Sequence, residues 1–209
     1  MNKIELPQRG LYAITGQFDS AHRLIERVEL AIQGGAAIIQ YRDKNSTLTE
    51  QQEIARQLLT VCNRLRTPLI INDDIELAKT IGAHGVHLGQ NDSKLAQAKI
   101  SLPSDAIIGI TCYNSIERAI EAEKQGASYV AFGRFFFSKS KPEASTASLS
   151  ILAQAKQQLS LPVTAIGGIN TENGSKVLEA GADLLAVIDG VFGEDQPDQA
   201  ARRFVKLFN

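Results

Sequence analysis

Short apolar, β-branched runs alternate with amphipathic stretches along the whole chain. The runs Leu11–Thr15, Ala37–Tyr41, Leu69–Asn72, Gly85–Leu88, Ala106–Thr111, Tyr129–Gly133, Val163–Ile166 and Leu184–Ile188 predict strands. They are nearly continuous in apolar character, the pattern of a parallel sheet covered on both faces. Between them apolar residues recur at three- and four-residue spacing, which predicts helices. Leu24, Val28, Ala31 and Ile32 show it in the first stretch, and Ile54, Leu58, Val61 and Leu65 in the second. Gly34-Gly35-Ala36, Gly82-Ala83, Gly126-Ala127 and Gly181-Ala182 stand just before strands and suit left-handed helix caps.

Eight such strand–helix units, with no long linker, predict an α/β fold: a single (β/α)8 TIM barrel spanning residues 1–209. A doubly wound open sheet is the alternative. It is the weaker one because no Gly-x-Gly-x-x-Gly follows the first strand. A chain of 209 residues can bury one substantial core without dividing.

Composition narrows the function classes. A formal net charge of −1 leaves no overall basic footprint for nucleic acid. No apolar run approaches the roughly 20 residues that span a bilayer. The start, Met1 to Pro7, lacks the apolar core of a signal peptide, so a cytoplasmic location is expected. Cys62 and Cys112 have neither CxxC spacing nor a second pair, and are expected as buried free thiols in a reducing compartment.

A barrel carries its active site at the C-terminal ends of its strands. Those ends hold Gln40, Arg42 and Lys44 after the second strand, and Asn72 and Asp73 after the third. Gln90 and Asp92 follow the fourth, Thr111 ends the fifth, and Ser138, Ser140 and Lys141 follow the sixth. Gly167 and Gly168 follow the seventh strand, and Asp189 and Gly190 the eighth. Asp73 and Asp92 are expected in one mouth beside the Asn72 amide. Such an oxygen set suits Mg²⁺, which completes its shell with water and substrate phosphates. Arg42 and Lys44, two apart in extended chain, point the same way. Arginine can clamp a phosphate with two hydrogen bonds, while lysine acts as a point charge. The loop Ser138-Lys139-Ser140-Lys141 offers hydroxyls between cations. Gly167 and Gly168 can let backbone N–H groups approach an anion at a helix start. Phe135, Phe136 and Phe137 fit either a pocket wall or ordinary core. His22 is expected at a helix start, His84 in a turn and His87 as a satisfied barrel residue. No Ser-His-Asp set or zinc-spaced cluster is present, so hydrolase and zinc readings have no support.

Five motifs, in order and at suitable separations, carry a resemblance that covers almost the whole chain. They are Gln40-Tyr41-Arg42-Asp43-Lys44, Ile71-Asn72-Asp73, Gly85 through Asp92, Gly133 through Pro142, and Ala165 through Asn170. With these the chain resembles the thiamine-phosphate synthase family. The resemblance implies a TIM barrel and an Mg²⁺-dependent transferase of thiamine biosynthesis. Such an enzyme joins 4-amino-2-methyl-5-(diphosphooxymethyl)pyrimidine to a thiazole bearing a phosphooxyethyl tail, carboxylated at C2 or not, and releases pyrophosphate. By the same resemblance Asp73 and Asp92 hold the metal. Gln40, Tyr41, Arg42, Asp43, Lys44, Asn72, Thr111 and Lys141 take the pyrimidine diphosphate. Ser138, Lys139, Ser140, Gly168, Ile188 and Asp189 take the thiazole phosphate. Partners are then small-molecule substrates, with neither nucleic acid nor membrane, and a homo-oligomer is left open.

The chain departs from the family pattern in three places. Serines stand at Ser138 and Ser140 where threonines are usual, and the hydroxyl chemistry is retained. Thr111 and Tyr113 stand where the family often has serine and histidine. Asp189 replaces a common serine, and a carboxylate facing a phosphate would be repelled. Two other readings stay open. A thiazole tautomerase on the same barrel usually lacks the diphosphate-binding cations and uses a histidine after strand five. A non-catalytic binder of thiazole or thiamine phosphate would have no need of metal carboxylates.

Overall fold

The computed structural model describes residues 4–89, 92–137 and 146–209, with Asp92 and Ser93 described in their backbone alone. The strands are β1 (Gly10–Ile14), β2 (Ala36–Tyr41), β3 (Leu69–Asn72), β4 (Gly85–Leu88), β5 (Ile107–Tyr113), β6 (Tyr129–Phe132), β7 (Val163–Ile166) and β8 (Leu184–Val187). They pair in parallel in chain order, and β8 pairs back onto β1 to close the barrel. The helices are α1 (Ala21–Gln33), α2 (Leu48–Arg64), α3 (Ile75–Ile81), α4 (Asp92–Ser101), α5 (Ile116–Lys124), α6 (Ser150–Gln158) and α7 (Gly174–Glu179), with a short α8 (Asp189–Phe192) and then α9 (Pro197–Val205). The TIM-barrel expectation therefore holds, and the open sheet does not.

Side chains alternate across each strand. One set points outward and packs under the helices: Leu11, Ile39, Tyr41, Ile71, Val86, Ile108, Val130, Ala165 and Leu185 join Leu24, Val28, Leu58 and Leu152. The other set fills the barrel with Tyr12, Ile14, Ile38, Ile70, Ile107, Tyr129, Leu184 and Ala186. Gly109 lies among these inward positions, paired in register with His87 and Tyr129. A Cβ there would lie 2.0 Å from Tyr129 Cζ, so the glycine makes room for a tyrosine ring crossing the barrel.

Local signals explain where elements begin and stop. Thr47 and Glu50 form a capping box on α2, with Thr47 N donating to Glu50 Oε2 at 2.8 Å and Glu50 N to Thr47 Oγ1 at 3.4 Å. Asp74 caps α3 by accepting from Leu77 N at 2.8 Å. Three of the four glycine steps put the left-handed residue where expected, at Gly82, Gly126 and Gly181. At the first step Gly35 takes the positive φ of 100°. Its neighbour Gly34 stays right-handed and instead admits the backbone of α9, because a Cβ there would lie 2.3 Å from Asp198 O. Strand β5 runs two residues beyond the expected end because its register with β6 slips between Thr111 and Tyr113, a bulge. Among the described residues no helix is long and apolar enough to cross a membrane.

Candidate active site

The loop after β2 is built to hold two cations open. Thr15, fully buried at the end of β1, grips the Arg42 backbone twice. Arg42 N donates to Thr15 Oγ1 at 2.9 Å, and the same hydroxyl donates to Arg42 O at 3.2 Å. Asp43 then folds the loop back on itself by accepting from Asn45 N at 2.9 Å and Ser46 N at 3.1 Å. Its second oxygen accepts from the Tyr41 hydroxyl at 3.0 Å. Burial pushes the Asp43 carboxyl up, but these donors outweigh it and leave it below the usual aspartate value. Burial and the Asp43 charge drive the Tyr41 phenol far above its ordinary value. Tyr41 and Asp43 thus meet each other and the loop, and Tyr41 faces the helices. Arg42 is half-buried, Lys44 is exposed, and neither forms an ion pair among the described residues.

On the next strand two adjacent aspartates part ways. Asp74 is spent on the α3 cap. Asp73 takes a left-handed φ of 63°, with its N–H donating to His87 O at 2.8 Å. One carboxylate oxygen accepts from Asn72 Nδ2 at 2.8 Å and the other from Gly89 N at 3.2 Å. A carboxylate offers about four lone-pair sites, so two remain for a cation. Asp92 opens α4, directly after β4, which pairs with β3. Its carboxylate and Gln90 lie outside the described residues. Among the described side chains no group of three or more His, Cys, Asp or Glu could hold a metal.

Inside the mouth a chain of hydrogen bonds crosses the barrel. Gln40, only 2% exposed, donates from Nε2 to the Tyr12 hydroxyl at 2.7 Å. The Tyr12 and Tyr129 hydroxyls meet at 2.7 Å. Tyr129 reaches His87 Nδ1 at 2.9 Å, and His87 Nε2 reaches Thr111 Oγ1 at 2.8 Å. The His87 and Tyr129 rings stack at 5.6 Å, and Tyr12 meets Tyr129 edge-on at 5.8 Å. Burial pushes both phenols well above their ordinary value, so each keeps its proton. His87 is indeed a satisfied barrel residue. His84 is also accounted for: Leu69 N donates to its Nδ1 at 3.0 Å, and burial pushes its pKa down, in keeping with that acceptor role. His22 lies in the first turn of α1, exposed beside Glu26.

The far rim is less completely described. Ser138, Lys139, Ser140 and Lys141 lie outside the described residues. The aromatic run before them divides, with Phe135 in the core and Phe137 73% exposed. Gly167 and Gly168 both have positive φ, 101° and 65°. A Cβ on Gly168 would lie 2.3 Å from Phe137 O, so this glycine lets the loop after β6 lie close. The pair does not open a helix directly. Asn170 first makes a turn, accepting from Glu172 N at 2.9 Å and Asn173 N at 3.0 Å, and α7 starts at Gly174. Ile188 packs toward the barrel interior, and Asp189 is exposed at the start of α8. The glycine after it is there for packing, since a Cβ on Gly190 would lie 3.1 Å from the Phe204 ring.

This barrel and its rim can be set beside known proteins. A sequence profile described as thiamine monophosphate synthase matches residues 11–191. The chain belongs to the thiamine monophosphate synthase family. It is 52% identical over 201 residues to the thiamine-phosphate synthase of Nitrosococcus oceani, covering 96% of this chain and 93% of that one. It is 45% identical over 201 residues to the thiamine-phosphate synthase of Thioalkalivibrio sulfidiphilus, covering 96% of this chain and 95% of that one. The solved thiamine phosphate pyrophosphorylase of Pyrococcus furiosus superposes with a TM-score of 0.84 at 34% identity, covering 96% and 95% of the two chains.

The structure brings Gln40, Arg42, Lys44, Asn72, Asp73 and Thr111 to the ends of three strands on one side of the barrel, β2, β3 and β5. Reading the sequence missed Thr15, Tyr12, Tyr129 and Gly109. The inward period of two, applied to β1 and β6, would have flagged the two tyrosines as polar groups in an otherwise aliphatic interior. Nothing in the sequence marks Thr15 as the clamp on Arg42.

Proposed function

We propose that the protein joins the aminopyrimidine diphosphate to the thiazole phosphate, forming thiamine phosphate and pyrophosphate. The observation that carries this reading is the open cationic loop after β2, clamped by Thr15 and Asp43, beside the Asp73 carboxylate on the next strand. A pair of cations held without acidic partners among the described residues suits an anionic leaving group. Tyr41 and Asp43 serve the diphosphate by fixing the loop that presents Arg42 and Lys44.

In the reaction the bond from the pyrimidine methylene carbon to the diphosphate oxygen breaks, and its electron pair leaves with pyrophosphate. The resulting cation is stabilised by the electron-rich aminopyrimidine. The thiazole nitrogen then donates its lone pair to form the new C–N bond. Arg42, Lys44 and Lys141 stabilise the charge that grows on pyrophosphate, so they bind the transition state best. Asn72 and Thr111 orient the diphosphate, and Gln40 orients the ring. Ser138, Lys139, Ser140, Gly168 and the turn at Ile188 and Asp189 take the thiazole phosphate, with the Asp189 carboxylate turned to solvent. Substrate resonance and anion binding carry the chemistry, so no protein nucleophile is needed. Asp73, whose remaining lone pairs form a hard oxygen donor set, would hold Mg²⁺ together with Asp92. The bound ion would neutralise charge on the diphosphate. Buried Cys62 and Cys112 suit a reducing cytoplasm.

Replacing Arg42 by alanine tests the reading. Losing one preorganised electrostatic contact costs roughly 10²–10³ in rate. The expected loss is of that size in turnover of the pyrimidine diphosphate, with thiazole phosphate affinity little changed. A defect confined to the thiazole KM would refute the assignment.

A further inference from the structure

The chain of hydrogen bonds from Gln40 to Thr111 has a direction. The Gln40 amide donates to the Tyr12 oxygen. Either hydroxyl could donate in the Tyr12–Tyr129 bond, but Tyr12 has no other acceptor among the described residues, so its proton goes to the Tyr129 oxygen. In that direction Tyr129 donates to His87 Nδ1, which would carry no proton. A neutral imidazole carries its proton on the other nitrogen, so Nε2 donates to Thr111 Oγ1. Thr111 is left with a free proton, and it has no second hydrogen-bond partner among the described residues. Gln40 is left with Oε1 as an acceptor, also without a partner among the described residues.

The reverse direction would change both ends. With Oε1 turned to Tyr12, each hydroxyl would donate toward Gln40, the ring proton would sit on His87 Nδ1, and Thr111 would donate to Nε2. Thr111 would then show lone pairs alone to the mouth. A diphosphate accepts hydrogen bonds, so that state repels it. An amino substituent on a pyrimidine donates hydrogen bonds, so it favours Oε1 outward. Both ends of such a substrate therefore select the same direction.

We propose that Tyr12, Tyr129 and His87 are positioning residues that lock Thr111 as a hydrogen-bond donor to the diphosphate and couple it to amine recognition at Gln40. The inference rests on the reading of the site given above for its ligand. Gly109 belongs to the same device, since it leaves the space through which Tyr129 reaches His87. Burial keeps both phenols protonated, so the relay does not break by ionisation in the neutral range.

Two measurements decide it. The first is nitrogen-15 NMR of the imidazole rings in the unmodified protein near neutral pH, where just 3 histidines need assignment. The expected result is His87 with its proton on Nε2 and a bare Nδ1. A proton on Nδ1, or on both nitrogens, overturns the proposal. The second is a double-mutant cycle read by calorimetric binding of inorganic pyrophosphate with Mg²⁺ present. A hydrogen bond to a charged group is worth roughly tenfold or more in affinity. Thr111→Val should weaken pyrophosphate by about that factor. Tyr129→Phe, which touches no anion, should weaken it similarly while thiazole phosphate affinity stays unchanged. The double variant should be no worse than either single one. Additive losses, or full pyrophosphate affinity in Tyr129→Phe, overturn the relay. If the unmodified protein forms no product from the two substrates, the proposed reaction fails, and the ring tautomer still judges the relay.

Discussion

Asp73 and Asp74 are neighbours with different work, and the difference is measurable. Asp74 caps α3, while Asp73 sits in a left-handed conformation with its carboxylate on Asn72 and Gly89. Asp74→Ala should cost about 1 kcal/mol of stability, the usual loss for a cap, and leave turnover near that of the parent. Asp73→Asn should do the opposite, lowering turnover roughly 10²–10³-fold with little change in the urea midpoint. Steady-state kinetics and equilibrium unfolding of both variants check this, and near-parental turnover in Asp73→Asn at limiting Mg²⁺ would remove it from the proposed metal site. The sequence names Asp73 through its motif. It does not show which of the two carboxylates faces the mouth, because that depends on Gly89 N and His87 O from the neighbouring strand.

At the scale of elements, β5 shows how packing sets what a strand can carry. Gly109→Ala places a methyl carbon 2.0 Å from Tyr129 Cζ, and the ring has fully buried neighbours with little room to yield. Overpacking of this kind costs typically about 1–3 kcal/mol. Displacing Tyr129 should also lower turnover, so thermal unfolding and kinetics should fall together. A variant of unchanged melting temperature would mean that the barrel interior is looser than the structure shows. The strands themselves are legible in the sequence because each is buried on both faces and reads as an unbroken apolar run. β3, β4 and β7 end where the pattern ends. β5 does not, because its bulge arises from pairing with β6, which local sequence does not encode.

Across the whole molecule, the buried tyrosines tie stability to alkaline pH. The Tyr12 and Tyr129 phenols are raised by burial, so the folded chain holds protons that the unfolded chain releases above its ordinary value of 10.0. Their contribution is complete below about pH 10 and is lost as pH rises further, by at most about 1.4 kcal/mol per pH unit for each tyrosine. Urea unfolding between about pH 9 and 11 should show this fall, and it should be shallower when Tyr12 and Tyr129 are both phenylalanine. Phenolate absorbance from these two before unfolding would contradict it. The relay that they form was not legible in the sequence, because it joins β1, β2, β4, β5 and β6 across the barrel. Reading strand ends did bring Arg42, Asp73 and Thr111 to one rim, because a parallel barrel puts all its strand C-termini on one side. The condensation itself is tested by product formation from the aminopyrimidine diphosphate and the thiazole phosphate with Mg²⁺. Thiamine phosphate and pyrophosphate should form in equal amounts, dependent on both substrates. Pyrophosphate released without thiamine phosphate, or no pyrophosphate at all, would contradict it.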